Sequence, residues 1–130
     1  MVAELKVALV SAERSVWQGT AKSVVAKTPD GEIGILPGHS PVLALLLDAP
    51  LRIETTEGTK VLVAVHGGFF SVDSDQVNVI AETAELAEEI DVERAKAALE
   101  RAKGAASDDD PAVHAAKRAE TRLAVAVGPR

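Results

Sequence analysis

Gln76-Val-Asn-Val-Ile-Ala-Glu-Thr-Ala-Glu85-Leu-Ala-Glu-Glu-Ile90-Asp-Val-Glu-Arg94-Ala95-Lys-Ala-Ala-Leu99-Glu-Arg101-Ala-Lys-Gly104 contains the change of period that decides the fold. In its first part Val77, Val79 and Ala81 recur at every second position, the spacing that puts apolar side chains on one face of a strand. From Asp91 the spacing becomes three and four: Val92, Ala95, Leu99 and Ala102 line one face of a helix. Asp91 is placed to cap the first free amides of that helix, and Gly104 to end it in a left-handed turn. Between the two patterns, Glu82, Glu85, Glu88 and Glu89 read as a solvated linker.

Working toward the amino terminus, the period stays at two. Leu5, Val7 and Leu9 alternate with Glu4, Lys6 and Ala8, and Leu51, Ile53 and Thr55 alternate with Arg52 and Glu54. Further β-rich runs are Ala21-Lys27, Thr59-Val65, Phe69-Asp73 and Gln76-Ala81, with turns expected at Pro29-Asp30-Gly31, Glu57-Gly58, Gly67-Gly68 and Asp73-Ser74-Asp75. Seven or more short strands predict an antiparallel β-sandwich or flattened barrel. Working toward the carboxyl terminus, Asp108-Asp109-Asp110 and Pro111 mark a second helix start, and Ala112, Ala116, Ala119, Leu123 and Ala126 form its stripe before Gly128-Pro129. The expected fold is therefore α+β: a sandwich over residues 1–88, then an antiparallel two-helix hairpin over 89–130.

Charge divides at the same place. Residues 1–90 hold 6 bases and 13 acids, and residues 91–130 hold 8 bases and 7 acids together with 12 of the 23 alanines. An alanine buries only one methyl group, against the roughly 1.5–3 kcal/mol of a buried Leu or Ile, so the helical hairpin is expected to be weakly held.

Composition excludes several classes of function. The chain has 130 residues, no cysteine, 2% aromatic residues and a net charge of -6, which argues against thiol chemistry, base-stacking readers and nucleic-acid binding by the whole chain. The apolar run Val42-Leu47 is far shorter than the roughly 20 residues of a membrane-spanning helix, and the amino-terminal segment lacks the pattern of a signal peptide, so a cytoplasmic chain is expected. His39, His66 and His114 have no partner at metal-ligand spacing. His39 beside Ser40 reads as a turn histidine bonded to backbone, not as a base beside its nucleophile. The glycines at Gly31, Gly34, Gly67 and Gly68 read as turn residues, because no phosphate-loop ending follows them.

Four basic residues stand apart. Arg94 and Arg101 are seven apart and Arg118 and Arg122 four apart, so each pair shares a helix face and four guanidiniums are able to converge on phosphate. A solvated face with ordinary ion pairs is the alternative.

Asp30-Gly-Glu-Ile-Gly-Ile-Leu-Pro-Gly-His-Ser-Pro41 resembles the signature hairpin of the epsilon subunit of bacterial and chloroplast F-type ATP synthase. Gly67-Gly-Phe-Phe-Ser-Val72 is similar to that family's Gly-Gly-Phe strand, the segment from Ala81-Glu82 through Ala84-Glu85 to Ile90-Asp91 to its junction, and Ala119-x-x-Arg122-Leu123 to its final helix. The resemblance spans essentially the whole chain. It implies a non-catalytic central-stalk subunit that couples ion flow to ATP synthesis, peripheral to the membrane at its cytoplasmic face. The sandwich would sit between the gamma subunit and the c-ring, with Gly34, Ile35, Leu36, Pro37 and His39 as docking residues. The helical hairpin would inhibit ATP hydrolysis by extending into the alpha/beta hexamer. No cofactor is required, but a regulatory ATP is implied: Ile90-Asp91-x-x-Arg94-Ala95 matches the nucleotide motif of some members, with Glu85, Arg101, Arg118 and Arg122 around it. The alternative is a free-standing ATP-sensing module, which would need the arginines but no apolar docking face on the sandwich.

Overall fold

In the computed structural model, which describes residues 3–102 and 111–127, seven strands precede a short 3-10 turn and two helices. The strands are β1 (Leu5–Ser11), β2 (Ser15–Thr28), β3 (Gly31–Ile35), β4 (Val42–Leu45), β5 (Ala49–Thr55), β6 (Lys60–Asp73) and β7 (Gln76–Leu86). The turn is Ala87–Glu89, and the helices are α1 (Val92–Ala102) and α2 (Pro111–Val127).

The strands close on themselves. β1 pairs with β7, β7 with β6, β6 with β5, β5 with β2, and β2 returns to β1, while β3 hangs from β2 and β4 from β6. β1 runs parallel to β7, with Val7 opposite Val77 and Leu9 opposite Val79. The other ladders are antiparallel. Alternation points Leu5, Val7, Leu9, Val24, Ile35, Leu51, Ile53, Val63, Val65, Phe70, Val72, Val77 and Val79 into one core, each almost wholly covered. These are the period-two positions of the sequence, and burying each stabilises the ring by roughly 1.5–3 kcal/mol.

Two expectations are corrected. Thr59–Val65 and Phe69–Asp73 are halves of the single strand β6, so Gly67-Gly68 is not a turn between strands. The chain bends there without ending its ladder to β7: His66 faces Thr83 and Gly68 faces Ala81. What changes is the other neighbour, because Lys60–Val65 pair with β5 and Phe69–Val72 with β4. Gly67 and Gly68 adopt φ of 72° and 117°, values that side chains resist, and a Cβ on Gly68 would lie 2.2 Å from the Ile80 carbonyl oxygen. The second correction concerns the acidic segment. β7 continues to Leu86, so Glu82 and Glu85 stand on a strand, not a linker.

The helices form as their sequences dictate. Asp91 Oδ1 accepts the Arg94 amide at 3.0 Å and so caps α1, and Pro111 opens α2. The expected terminator Gly104 and the acids Asp108–Asp110 lie outside the described residues. Ala95 and Ala119 of the expected stripes are buried, and Leu99, Ala116, Leu123 and Ala126 half-buried. A second, smaller core joins the hairpin to the sandwich: Leu62 and Ala64 of β6 meet Ile90 and Val125. Because Ile90 precedes α1 and Val125 lies near the end of α2, the two helices run antiparallel. β6 is consequently buried on both faces from Leu62 to His66.

Candidate functional site

The antiparallel helices and the end of β7 enclose a cavity of about 370 Å³, within the size range of small-molecule sites. Arg94 and Arg101 reach it from α1, Arg118 and Arg122 from α2, Glu85 from β7, and Asp91 and Glu89 from the segment leading into α1. Ala95, Ala98 and Ala115 line the remainder, and their short side chains leave the space open. The structure thus brings together every residue expected around a nucleotide except Ile90. That side chain points away, into the small core with Leu62, Ala64 and Val125, and is 8% exposed. It anchors the hairpin and does not line the cavity.

The carboxylates of the cavity already have partners. Glu85 Oε1 accepts from Arg122 Nε at 2.5 Å. Glu89 takes Arg14 Nη2 on both oxygens, at 2.6 and 2.7 Å, and also the Leu86 amide at 2.9 Å. That amide, and then the Arg14 guanidinium, hold the Glu89 carboxyl below the usual carboxylate range. Asp91 is engaged as the cap of α1. Among the described residues, Arg94, Arg101 and Arg118 make no ion pair, so three guanidiniums converge on one cavity with no carboxylate fastened to them. Guanidinium forks match phosphate oxygens bidentately, and the set fits a polyphosphate.

Beside this cavity lies a group that sequence reasoning left aside. His66 sits on the face of β6 that carries Leu62 and Ala64, is 3% exposed, and has no hydrogen-bond partner on either ring nitrogen among the described residues. Its Nε2 is 3.6 Å from Glu85 Oε1, too long for a hydrogen bond. Burial, and next the Arg122 charge, hold its pKa below the ordinary 6.5 against the opposing pull of Asp48 and Glu85. The sequence signal for this contact is the unbroken apolar run Val61–Val65, which is how a strand covered on both faces reads.

The expected docking residues divide. Gly34 and Leu36 are exposed, Pro37 and His39 half-buried, and Ile35 is fully buried in the main core. Ile35 is corrected to a core residue, because strand alternation turns it inward between Gly34 and Leu36. His39 Nδ1 lies 2.6 Å from the Ser40 carbonyl oxygen, the expected backbone bond, and the Gly38 amide donates to Asp75 Oδ1 at 2.7 Å, tying this loop to the β6–β7 turn. The sequence reading overlooked a second exposed group. Leu45, Phe69 and Ile80 are cross-strand neighbours on β4, β6 and β7, exposed by 65%, 41% and 43%, and Leu43 on the same edge strand is 71% exposed. An apolar row of this kind across an exposed sheet face marks an interaction surface. No helix among the described residues is long and apolar enough to cross a membrane.

Residues 4–87 match the family model described as ATP synthase, Delta/Epsilon chain, beta-sandwich domain. Over 128 residues the chain is 56% identical to an ATP synthase epsilon chain of Streptomyces griseus, covering 98% of this chain and 99% of that one. It is 51% identical over 126 residues to an ATP synthase epsilon chain of Thermobifida fusca, covering 95% and 92%. A chain in the structure of the Euglena gracilis mitochondrial ATP synthase, OSCP/F1/c-ring in rotational state 1, aligns with a TM-score of 0.75 at 28% identity, over 95% of this chain and 77% of that one. A chain from the Tetrahymena thermophila mitochondrial ATP synthase central stalk and c-ring shares the fold, with a TM-score of 0.60 at 18% identity over 95% and 93%. By its nearly full-length identity to such subunits, the chain belongs to the ATP synthase epsilon chain family.

Proposed function

We propose that this chain is a non-catalytic subunit of the central stalk, held peripherally at the cytoplasmic face of the membrane by the rest of the complex, and that its hairpin restrains ATP hydrolysis. The sandwich docks through the row Leu43, Leu45, Phe69 and Ile80 and the loop of Leu36, Pro37 and His39, onto the gamma subunit and the c-ring. Through these contacts it helps couple ion flow to synthesis. The exposed row favours this reading over a free-standing nucleotide sensor, which has no use for such a face.

The observation that carries the proposal is a self-closed sandwich joined to its hairpin by a small contact. The sandwich keeps the large side chains, while the hairpin rests on Leu62, Ala64, Ile90 and Val125 and on the Glu85–Arg122 pair. A hairpin held so lightly exchanges between a docked state and one extended along gamma into the alpha/beta hexamer, where its basic face meets the catalytic subunits. ATP in the arginine cavity favours the docked state: Arg94, Arg101 and Arg118 hold its phosphates, Arg122 adds a fourth charge, and the alanines admit its apolar part. A ligand that binds only the docked form shifts the balance by about 2.7 kcal/mol at one hundred times its Kd.

The test replaces the full-length subunit in the assembled complex by a chain ending at Ile90. ATP hydrolysis is expected to rise several-fold at matched subunit content, with coupling retained. Equal hydrolysis rates would refute the inhibitory role.

A further inference from the structure

We propose that docking of the hairpin is proton-sensitive: protonation of His66, buried on β6 beside the Glu85–Arg122 pair, releases the hairpin from the sandwich on mild acidification. The observation behind it is geometric. His66 continues the row Leu62, Ala64, His66 along the face of β6 that meets the hairpin at Leu62 and Ala64, is 3% exposed, and has both ring nitrogens unpartnered among the described residues. The charged groups facing it are Glu85 from β7, Arg122 from α2 and Asp48 from the β4–β5 connection. The nearest acceptor, Glu85 Oε1, is 3.6 Å away and already receives Arg122 Nε at 2.5 Å.

While the hairpin is docked, a proton on the ring has little solvation and faces a guanidinium. Burial and Arg122 together outweigh the two carboxylates and hold the ring below its ordinary 6.5. When the hairpin lifts, α2 carries Arg122 away, water reaches the ring, and Glu85 is freed to accept from the imidazolium. The lifted state therefore binds the proton more tightly. By linkage the docked state is favoured above the ordinary histidine pKa and loses ground as pH falls through it, by at most about tenfold per pH unit for one proton. His39, in the loop after β3, and His114, exposed on α2, do not face this contact. The proposal concerns docking alone and stands or falls apart from any effect on hydrolysis.

The chain has no cysteine, so spin labels placed by Glu57→Cys in the β5–β6 turn and Glu120→Cys on α2, both exposed positions, report docking as a distance. The full chain is measured without nucleotide between pH 7.5 and 5.5, above the range in which ordinary carboxylates titrate. The ratio of docked to lifted molecules is expected to fall several-fold, to stay flat in His66→Gln, and to follow the wild type in His114→Gln. Should His66→Gln fail to fold, nuclear magnetic resonance of the wild-type ring decides, with a titration below 6.5 that coincides with lifting as the supporting result. A ratio unchanged across this range in the wild type, a full response retained in His66→Gln, or a ring titrating at its ordinary value while the hairpin stays docked would overturn the proposal.

Discussion

Gly68 shows how much one residue decides in this fold. It takes a φ of 117° where β6 changes its neighbour from β5 to β4, and an added Cβ would stand 2.2 Å from the Ile80 carbonyl oxygen and 2.7 Å from the Ala81 Cα. These atoms are backbone in a continuous ladder and have nowhere to go. Gly68→Ala is expected to destabilise the chain by more than about 3 kcal/mol, read as a shift of the urea midpoint at constant slope. Gly34→Ala, at an exposed position with no heavy atom within 4 Å of the new Cβ, is expected to change stability by no more than about 0.5 kcal/mol. Equal losses in the two variants would show that the bend does not depend on Gly68.

At the scale of the element, the arginine cavity exists only because α1 and α2 lie side by side. Each helix supplies two guanidiniums, and neither pair alone surrounds a triphosphate. A charge-assisted hydrogen bond contributes about 1.5–3 kcal/mol, so Arg94→Ala and Arg118→Ala are each expected to weaken ATP binding by roughly ten- to a hundred-fold in calorimetry. Arg52→Ala, whose side chain lies 3.4 Å from Glu32 on the sandwich, serves as the control with unchanged affinity. Unaltered binding in the first two variants would return these arginines to a solvated face. That each pair shares a helix face was legible from the spacings of seven and four; that the two faces meet over one cavity was left open beside a solvated face, and only the fold brings them together. Most strands were legible as far as Ala81, where alternation holds, but β4 reads only as a short apolar run and Gly34 of β3 as a turn glycine; beyond Ala81, Ala84 is buried out of phase, and so the acidic end of β7 reads as a linker. The partners of Glu85 and Glu89, namely Arg122 and Arg14, are 37 and 75 residues away, a distance no local pattern spans. Thr121 and Val125 were missed for another reason: a helix rich in alanine has no sharp apolar edge, so its second buried face is not visible in the period.

For the whole molecule, the large apolar side chains lie in the strand ring and only a small cluster belongs to the hairpin. Residues 1–88 are therefore expected to unfold cooperatively by themselves, with a urea midpoint close to that of the full chain; a fragment without a cooperative transition would show that the hairpin is part of the folding unit. The parallel ladder of β1 with β7 has a different consequence, one of time. Synthesis delivers β1 first, yet its second neighbour begins at Gln76 and pairs as far as Ala81. Contacts so distant along the chain slow folding, because a long loop must be ordered before they form. As the chain leaves the ribosome, β1 lacks its second neighbour until β7 emerges, and only then can the ring close. The helices follow last, arriving at a finished surface, so the hairpin is the part of the molecule whose folding can wait.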